Sequence, residues 1–130
     1  MNFNELLIKA INASISGGHA IMDVYESVFA VEHKDDKSPL TLADSNCNVI
    51  IEDHLLGTGI PFLSEEGKTI SYNQRKNWEY YWLVDPLDGT KEFVKRNGEF
   101  TVNIALIHNS KPVMGVIYVP EKQDLYFAME

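Results

Sequence analysis

The chain changes period part-way along, and that change limits its folds more than any other feature. From Asn2 to about Glu26, Phe3, Leu6, Leu7, Ala10, Ile11, Ile15, Ile21 and Tyr25 recur at helical spacing. The pair Gly17-Gly18 inside this run predicts a kink or a close helix contact. A second helix is expected from near Thr41 to just before Gly57, with Cys47, Ile50, Ile51 and Leu55 as its apolar stripe. Between them Val28 to His33 alternates as a short strand does, and Lys34 to Pro39 reads as a polar loop. Thereafter strands dominate. "IPFLSEEG" reads as a short buried strand ending in two acids, and Tyr80 to Val84 as the central strand. Phe100 to Ile107 and Val113 to Val119 follow, joined through residues 108–111, and Leu125 to Met129 begins another. Lys68 to Asn77 is polar and aperiodic, as expected of an exposed, mobile flap beside Glu65-Glu66. Helices first and strands after fit an α+β or layered α/β arrangement better than regular βαβ alternation.

The length, 130 residues, suits one compact domain or a piece of one, and 45% hydrophobic residues supply a core. No apolar run reaches the length of a membrane span, and "MNFNELLIKA" lacks the basic and apolar regions of a secretory signal. Cys47 is the single cysteine, so no internal disulfide can form, which points to a reducing cytoplasm. The net charge of −8 disfavours nucleic acid and anionic lipid as partners. It leaves room for a small phosphorylated substrate if carboxylates first gather divalent cations.

Acids stand at three element boundaries. Asp44 is placed in the first turn of the second helix, Glu65 and Glu66 follow "PFLS", and Asp85 and Asp88 follow "YWLV". Hard cations take several oxygen ligands, and Asp85, Asp88 and the Leu87 carbonyl between them make an oxygen-rich corner. Gly89 lets the backbone approach a ligand closely, and Thr90 offers a hydroxyl and a helix start whose free N–H groups suit phosphate. Each acid also has an ordinary explanation. Thr41-x-x-Asp44 scans as a capping box, Glu65-Glu66 as a solvated pair, and Asp85-Pro86 and Asp88-Gly89 as turn chemistry. His19, His33, His54 and His108 form no metal spacing, and Trp78 and Trp82 read as packing residues. What the separate explanations leave unaccounted for is the coincidence of acids at every such exit.

"WLVDPLDGTKEF" with the upstream Ser64-Glu65-Glu66 resembles the signature of the Mg²⁺-dependent, lithium-sensitive phosphatases of the inositol monophosphatase superfamily. "DKSPLTLAD", Asp36 to Asp44, Lys91-Glu92-Phe93 and "KRNGEFTVNIALI" resemble the 3'(2'),5'-bisphosphate nucleotidases of the bacterial CysQ type. The resemblance implies a layered sandwich of the sugar phosphatase type, with two N-terminal helices on a mostly antiparallel sheet. It implies a phosphatase that removes the 3'-phosphate of 3'-phosphoadenosine 5'-phosphate, a by-product of sulfate assimilation. It also implies about two or three Mg²⁺ ions per complete site, a bound pair standing about 3.5–4 Å apart. Glu65, Asp85 and the Leu87 carbonyl would hold the first ion, and Asp85 and Asp88 the second. Asp44 and Thr90 would orient and deprotonate the attacking water. Asp88, Gly89 and Thr90 would contact the phosphate, with Asp36 and Glu66 in supporting roles.

The resemblance covers the N-terminal half of that family's usual length. "DLYFAME" runs strand-like to the last residue, and no W-D metal motif follows Asp88. Residues 1–130 are therefore expected to be the metal-binding portion of a longer protein. A missing C-terminal half or a partner chain would complete it, and Val113, Val116, Leu125 and Phe127 would be exposed without that cover. The rival readings are an inositol monophosphatase, and a metal-binding or interaction fragment without turnover.

Overall fold

The computed structural model describes residues 1–27 and 38–130. The strand expected over Val28 to His33, most of the following loop and Asp36 lie outside the described residues.

Helix α1 (Phe3–Tyr25) starts at Asn2, whose side chain accepts the Glu5 N–H at 3.2 Å. It is one continuous helix, burying Ala10, Ala13, Gly17 and Ile21 on one side. The glycine pair marks contacts, not a kink. A Cβ on Gly17 would stand 2.7 Å from Cys47 Sγ, and one on Gly18 2.6 Å from the Tyr118 ring. Helix α2 (Pro39–Leu56) begins earlier than its period suggested. Ser38 is its cap, accepting the Thr41 N–H at 3.1 Å, and Pro39 occupies the first position, where no N–H is needed. Asp44 consequently falls in the second turn, and Thr41-x-x-Asp44 is not a capping box.

The sheet has the order β1 (Phe62–Ser64), β2 (Tyr80–Asp88), β3 (Thr101–His108), β4 (Lys111–Val119), β5 (Asp124–Met129). β1 runs parallel to β2, and the remaining pairs are antiparallel. Asn109 and Ser110, with φ of 49° and 69°, close the β3–β4 hairpin in the left-handed sense that matches strand twist. The stretch from Lys68 to Asn77 is not wholly irregular. It contains one exposed helical turn, α3 (Tyr72–Arg75), held by a capping box between Ser71 and Gln74. The last helix, α4 (Thr90–Lys95), follows β2 directly.

Both long helices pack on one face of the sheet, over Trp82, Val84, Val102, Ile104, Leu106 and Val116. Strand alternation decides what each residue faces. Val116 pairs with Ile104 on the helix side and is 1% exposed, contrary to expectation, because α1 packs on β4. Val113 and Leu125 are half-buried against the core. Phe127 is 57% exposed on the edge strand β5, as expected. The opposite face carries Leu83 (39% exposed) and Ile117 (45%) and is covered by no described element. No described helix is long and apolar enough to cross a membrane.

Candidate active site

The corner where β2 ends is shaped by a bulge. Asp85 pairs with Asn103 and Asp88 with Thr101, so β2 uses one more residue than β3 over this span. Pro86 lies in the extra stretch, where its missing N–H deprives no ladder bond. Pro86 and Leu87 are both buried in succession, which breaks the alternation and leaves Asp85 half-buried and Asp88 exposed. Gly89 follows with φ of 94°, and a Cβ there would stand 3.2 Å from the Glu99 carbonyl oxygen and the Phe100 Cα. It caps α4 without a side-chain hydrogen bond, so the N–H groups of the first turn have no side-chain acceptor from the cap. Thr90 is exposed at the first position of α4.

Two neighbouring elements bring acids to this corner. β1 lies parallel to β2, and the Glu65 N–H extends the pairing by donating to the Val84 carbonyl at 3.1 Å. The turn after it is anchored from α2. Buried Ser64 donates its hydroxyl to Asn48 Oδ1, and the Glu66 N–H donates to Ser64 Oγ at 3.1 Å. Asp44 faces the same corner one helical turn before Asn48. Its carboxyl is pushed up to about 7, first by burial and then by the charges of Glu66, Asp85 and Glu65, and it stands close enough to Glu66 to share a proton. Asp85 is raised to about 6 by burial and by Glu65 and Asp88, while a hydrogen bond from the Leu87 backbone opposes the shift. The electrostatic contacts thus link Asp44, Glu65, Glu66, Asp85 and Asp88. Leu87 adds its buried side chain to the core beneath.

These groups fit a divalent cation by their chemistry. All are hard oxygen donors, the carboxyls of Asp44 and Asp85 are raised by burial and then by like charge, and Asp44 Oδ1 is buried with no hydrogen-bond partner. The corner gathers the acids without closing them round one point. Among the described residues no three His, Cys, Asp or Glu side chains stand in a ligating arrangement.

Several supporting residues carried no recognisable signal in the sequence. Asn103 donates from Nδ2 to Asp88 Oδ2 at 3.0 Å and accepts from the Thr101 hydroxyl at 2.9 Å. Asn48 and Ser64 hold the Glu65-Glu66 turn, and the Cys47 thiol donates to the Pro86 carbonyl at 3.3 Å. The single available hint is a polar residue at an apolar-stripe position, as Asn48 is between Cys47 and Ile51. A depression of about 390 Å³ on the uncovered sheet face reaches the corner past Glu65, Asp85, Asn103 and Ile117.

A family model described as "Inositol monophosphatase family" matches residues 3–130. The chain belongs to the inositol monophosphatase family. Within the family it is similar to the 3'(2'),5'-bisphosphate nucleotidase CysQ of Salmonella typhimurium, 51% identical over 129 residues, which are 96% of this chain and 52% of that protein. The nucleotidase CysQ of Escherichia coli K12 is 50% identical over the same share. Among solved structures, CysQ from Bacteroides thetaiotaomicron matches with a TM-score of 0.93 and 52% identity, over 98% of this chain and 47% of that one. The extragenic suppressor protein suhB of Bartonella henselae matches with a TM-score of 0.78 and 27% identity, over 96% of this chain and 48% of its own. The chain spans about half the length of the curated relatives it matches. The expected α+β fold, with two helices on a mostly antiparallel sheet, is the fold of these relatives.

Proposed function

We propose that the acidic corner is the metal-binding part of a phosphatase site that removes the 3'-phosphate of 3'-phosphoadenosine 5'-phosphate, giving AMP and phosphate. The observation that carries this reading is the meeting of Asp44, Glu65, Glu66, Asp85 and Asp88 from three elements, with a buried Asp44 oxygen left without a partner. The similarity to bisphosphate nucleotidases over nearly the whole chain favours a nucleotide over an inositol phosphate. Those relatives are about twice as long, and in this reading a nucleoside pocket and further ligands for the second cation would come from residues other than those of this chain.

Glu65, Asp85 and the Leu87 carbonyl would hold one Mg²⁺, and Asp85 and Asp88 would contribute to a second. When bound, the cations neutralise the phosphate dianion, acidify water and stabilise the departing ester oxygen. Asp44, with its carboxyl near 7, accepts the proton of the attacking water, which the Thr90 hydroxyl orients. The water oxygen bonds to phosphorus as the ester P–O bond breaks, and the leaving 3'-oxygen takes a proton from solvent to become a hydroxyl. The backbone N–H groups of Gly89 and Thr90 hold a phosphate oxygen at the start of α4. Glu66, close to Asp44, supports its protonation.

The test is phosphate release from 3'-phosphoadenosine 5'-phosphate and from inositol 1-phosphate with Mg²⁺. This chain is assayed beside a form extended to the length of its relatives. The extended form should prefer the nucleotide, and a preference for the inositol ester would refute the substrate. Turnover by the chain alone within about tenfold of the extended form, only ~1.4 kcal/mol in the barrier, would refute the need for further residues.

A further inference from the structure

Asp44, Cys47 and Asn48 are spaced i, i+3 and i+4 along α2, which puts them on one side of a single helical turn. We propose that Asn48 and Ser64 are positioning residues for the cations, acting as one unit that fixes the Glu65-Glu66 turn against Asp44. This assignment depends on the metal-binding reading of the corner. β1 has only three residues and stands at the edge of the sheet, so its ladder bonds hold the chain weakly where the acids follow. Without cations, the like charges gathered there push the turn away from Asp44 and Asp85. The link from β1 to α2 opposes that push, so a cation meets ligands already in place.

The direction of each bond matters. A serine hydroxyl has one proton to give and lone pairs with which to accept. The Glu66 N–H can only donate, and it reaches Ser64 Oγ at 3.1 Å, so the hydroxyl accepts there. The hydroxyl proton goes to Asn48 Oδ1. Asn48 thereby orients a bond that it does not itself make. Both side chains are buried, where a lost partner is costly. Gly67 folds back over the pair, and a Cβ there would stand 3.5 Å from Ser64 Cβ and 3.9 Å from Asn48 Nδ2. The adjacent Cys47 serves the other acid-bearing turn, its thiol donating to the Pro86 carbonyl at 3.3 Å. Both turns are thus tied to the same turn of α2, and a rigid helix sets their separation.

The experiment measures Mg²⁺ binding to the full chain by titration calorimetry, at a temperature where urea unfolding shows each variant to be folded. Ser64→Ala and Asn48→Ala should each weaken binding by about tenfold or more. The double variant should lose no more than about twofold beyond either, because the two residues act as a unit. Ser64→Thr, which keeps the hydroxyl, should stay within about threefold of the unmodified chain. Unchanged affinity in folded variants, additive losses, or a Ser64→Thr variant as weak as Ser64→Ala overturns the proposal. Amide hydrogen exchange, followed by NMR in chelator, is the second measurement. Asn48→Ala should speed exchange of the Glu66 N–H by about tenfold or more, and leave the Glu65 N–H, which bonds to the Val84 carbonyl, within about twofold. Equal acceleration at both marks a general loss of stability and overturns the proposal. Where an alanine variant does not fold, Ser64→Cys, similar in size and a weaker acceptor, takes its place in both measurements and must give the same result. If the unmodified chain binds no Mg²⁺, the metal-binding reading fails, and the exchange result still decides whether Asn48 positions the turn.

Discussion

The Cys47 thiol donates a hydrogen bond to the Pro86 carbonyl oxygen across 3.3 Å, joining the middle of α2 to the bulge that separates Asp85 from Asp88. Both groups are buried, and burial pushes the thiol's pKa up, so Cys47 stays a neutral donor. The same sulfur fills the space left by Gly17 on α1. One small side chain therefore sets the spacing of α1, α2 and the acid-bearing strand.

Gly17→Ala should destabilise the protein by about 1–3 kcal/mol, since the new methyl would stand 2.7 Å from Cys47 Sγ and 3.1 Å from Ile51 Cγ1. Urea unfolding measures this. Combining it with Cys47→Ala should recover part of the loss, because the second change vacates the space the first requires.

In chelator, stability should fall as pH rises from about 4 to about 7. Asp44 and Asp85 have carboxyls raised to about 7 and about 6 in the folded chain, against an ordinary 3.8. The unfolded chain therefore loses its protons first as pH rises. The stability held by the protonated carboxyls is complete below pH 3.8 and is lost as pH passes the folded values. Thermal unfolding across this range checks the slope, and added Mg²⁺ should raise the melting temperature most above pH 7.

Asp44→Asn should act in opposite directions on stability and activity. At pH 8 and without metal it should stabilise the chain by roughly 1 kcal/mol, the full shift being discounted for solvent screening at a half-exposed group. In the extended form it should lower phosphate release by about 100-fold or more, as the loss of a general base does. A variant that is destabilised at pH 8 yet fully active would contradict both roles.

Asn103→Ala should release Asp88, whose carboxylate now receives the Asn103 amide at 3.0 Å. Removing a residue that orients a ligand weakens metal binding by about tenfold or more. Mg²⁺ titration calorimetry on the chain measures it, with little change expected in folding because Asn103 lies on the uncovered face.

The sequence by itself determined the order of elements and the chemistry of the corner. The helical period of α1, the alternation of β3 and β4, and the passage from Val84 through Asp-Pro-Leu-Asp-Gly-Thr are local signals, fixed by residues a few places apart. The tertiary structure decided which acids meet. Asp44 reads locally as a cap, and only the placement of Ser38 at the helix start and the packing of α2 against β2 turn it towards Asp85 and Glu66. The bond from Ser64 to Asn48 spans 16 residues and that from Asn103 to Asp88 spans 15, distances at which no periodicity carries information. Exposure along the strands was decided in the same way. Val116 is covered and Ile117 is not because α1 lies over one face of β4, and a side chain's burial depends on what packs above it as well as on its own identity.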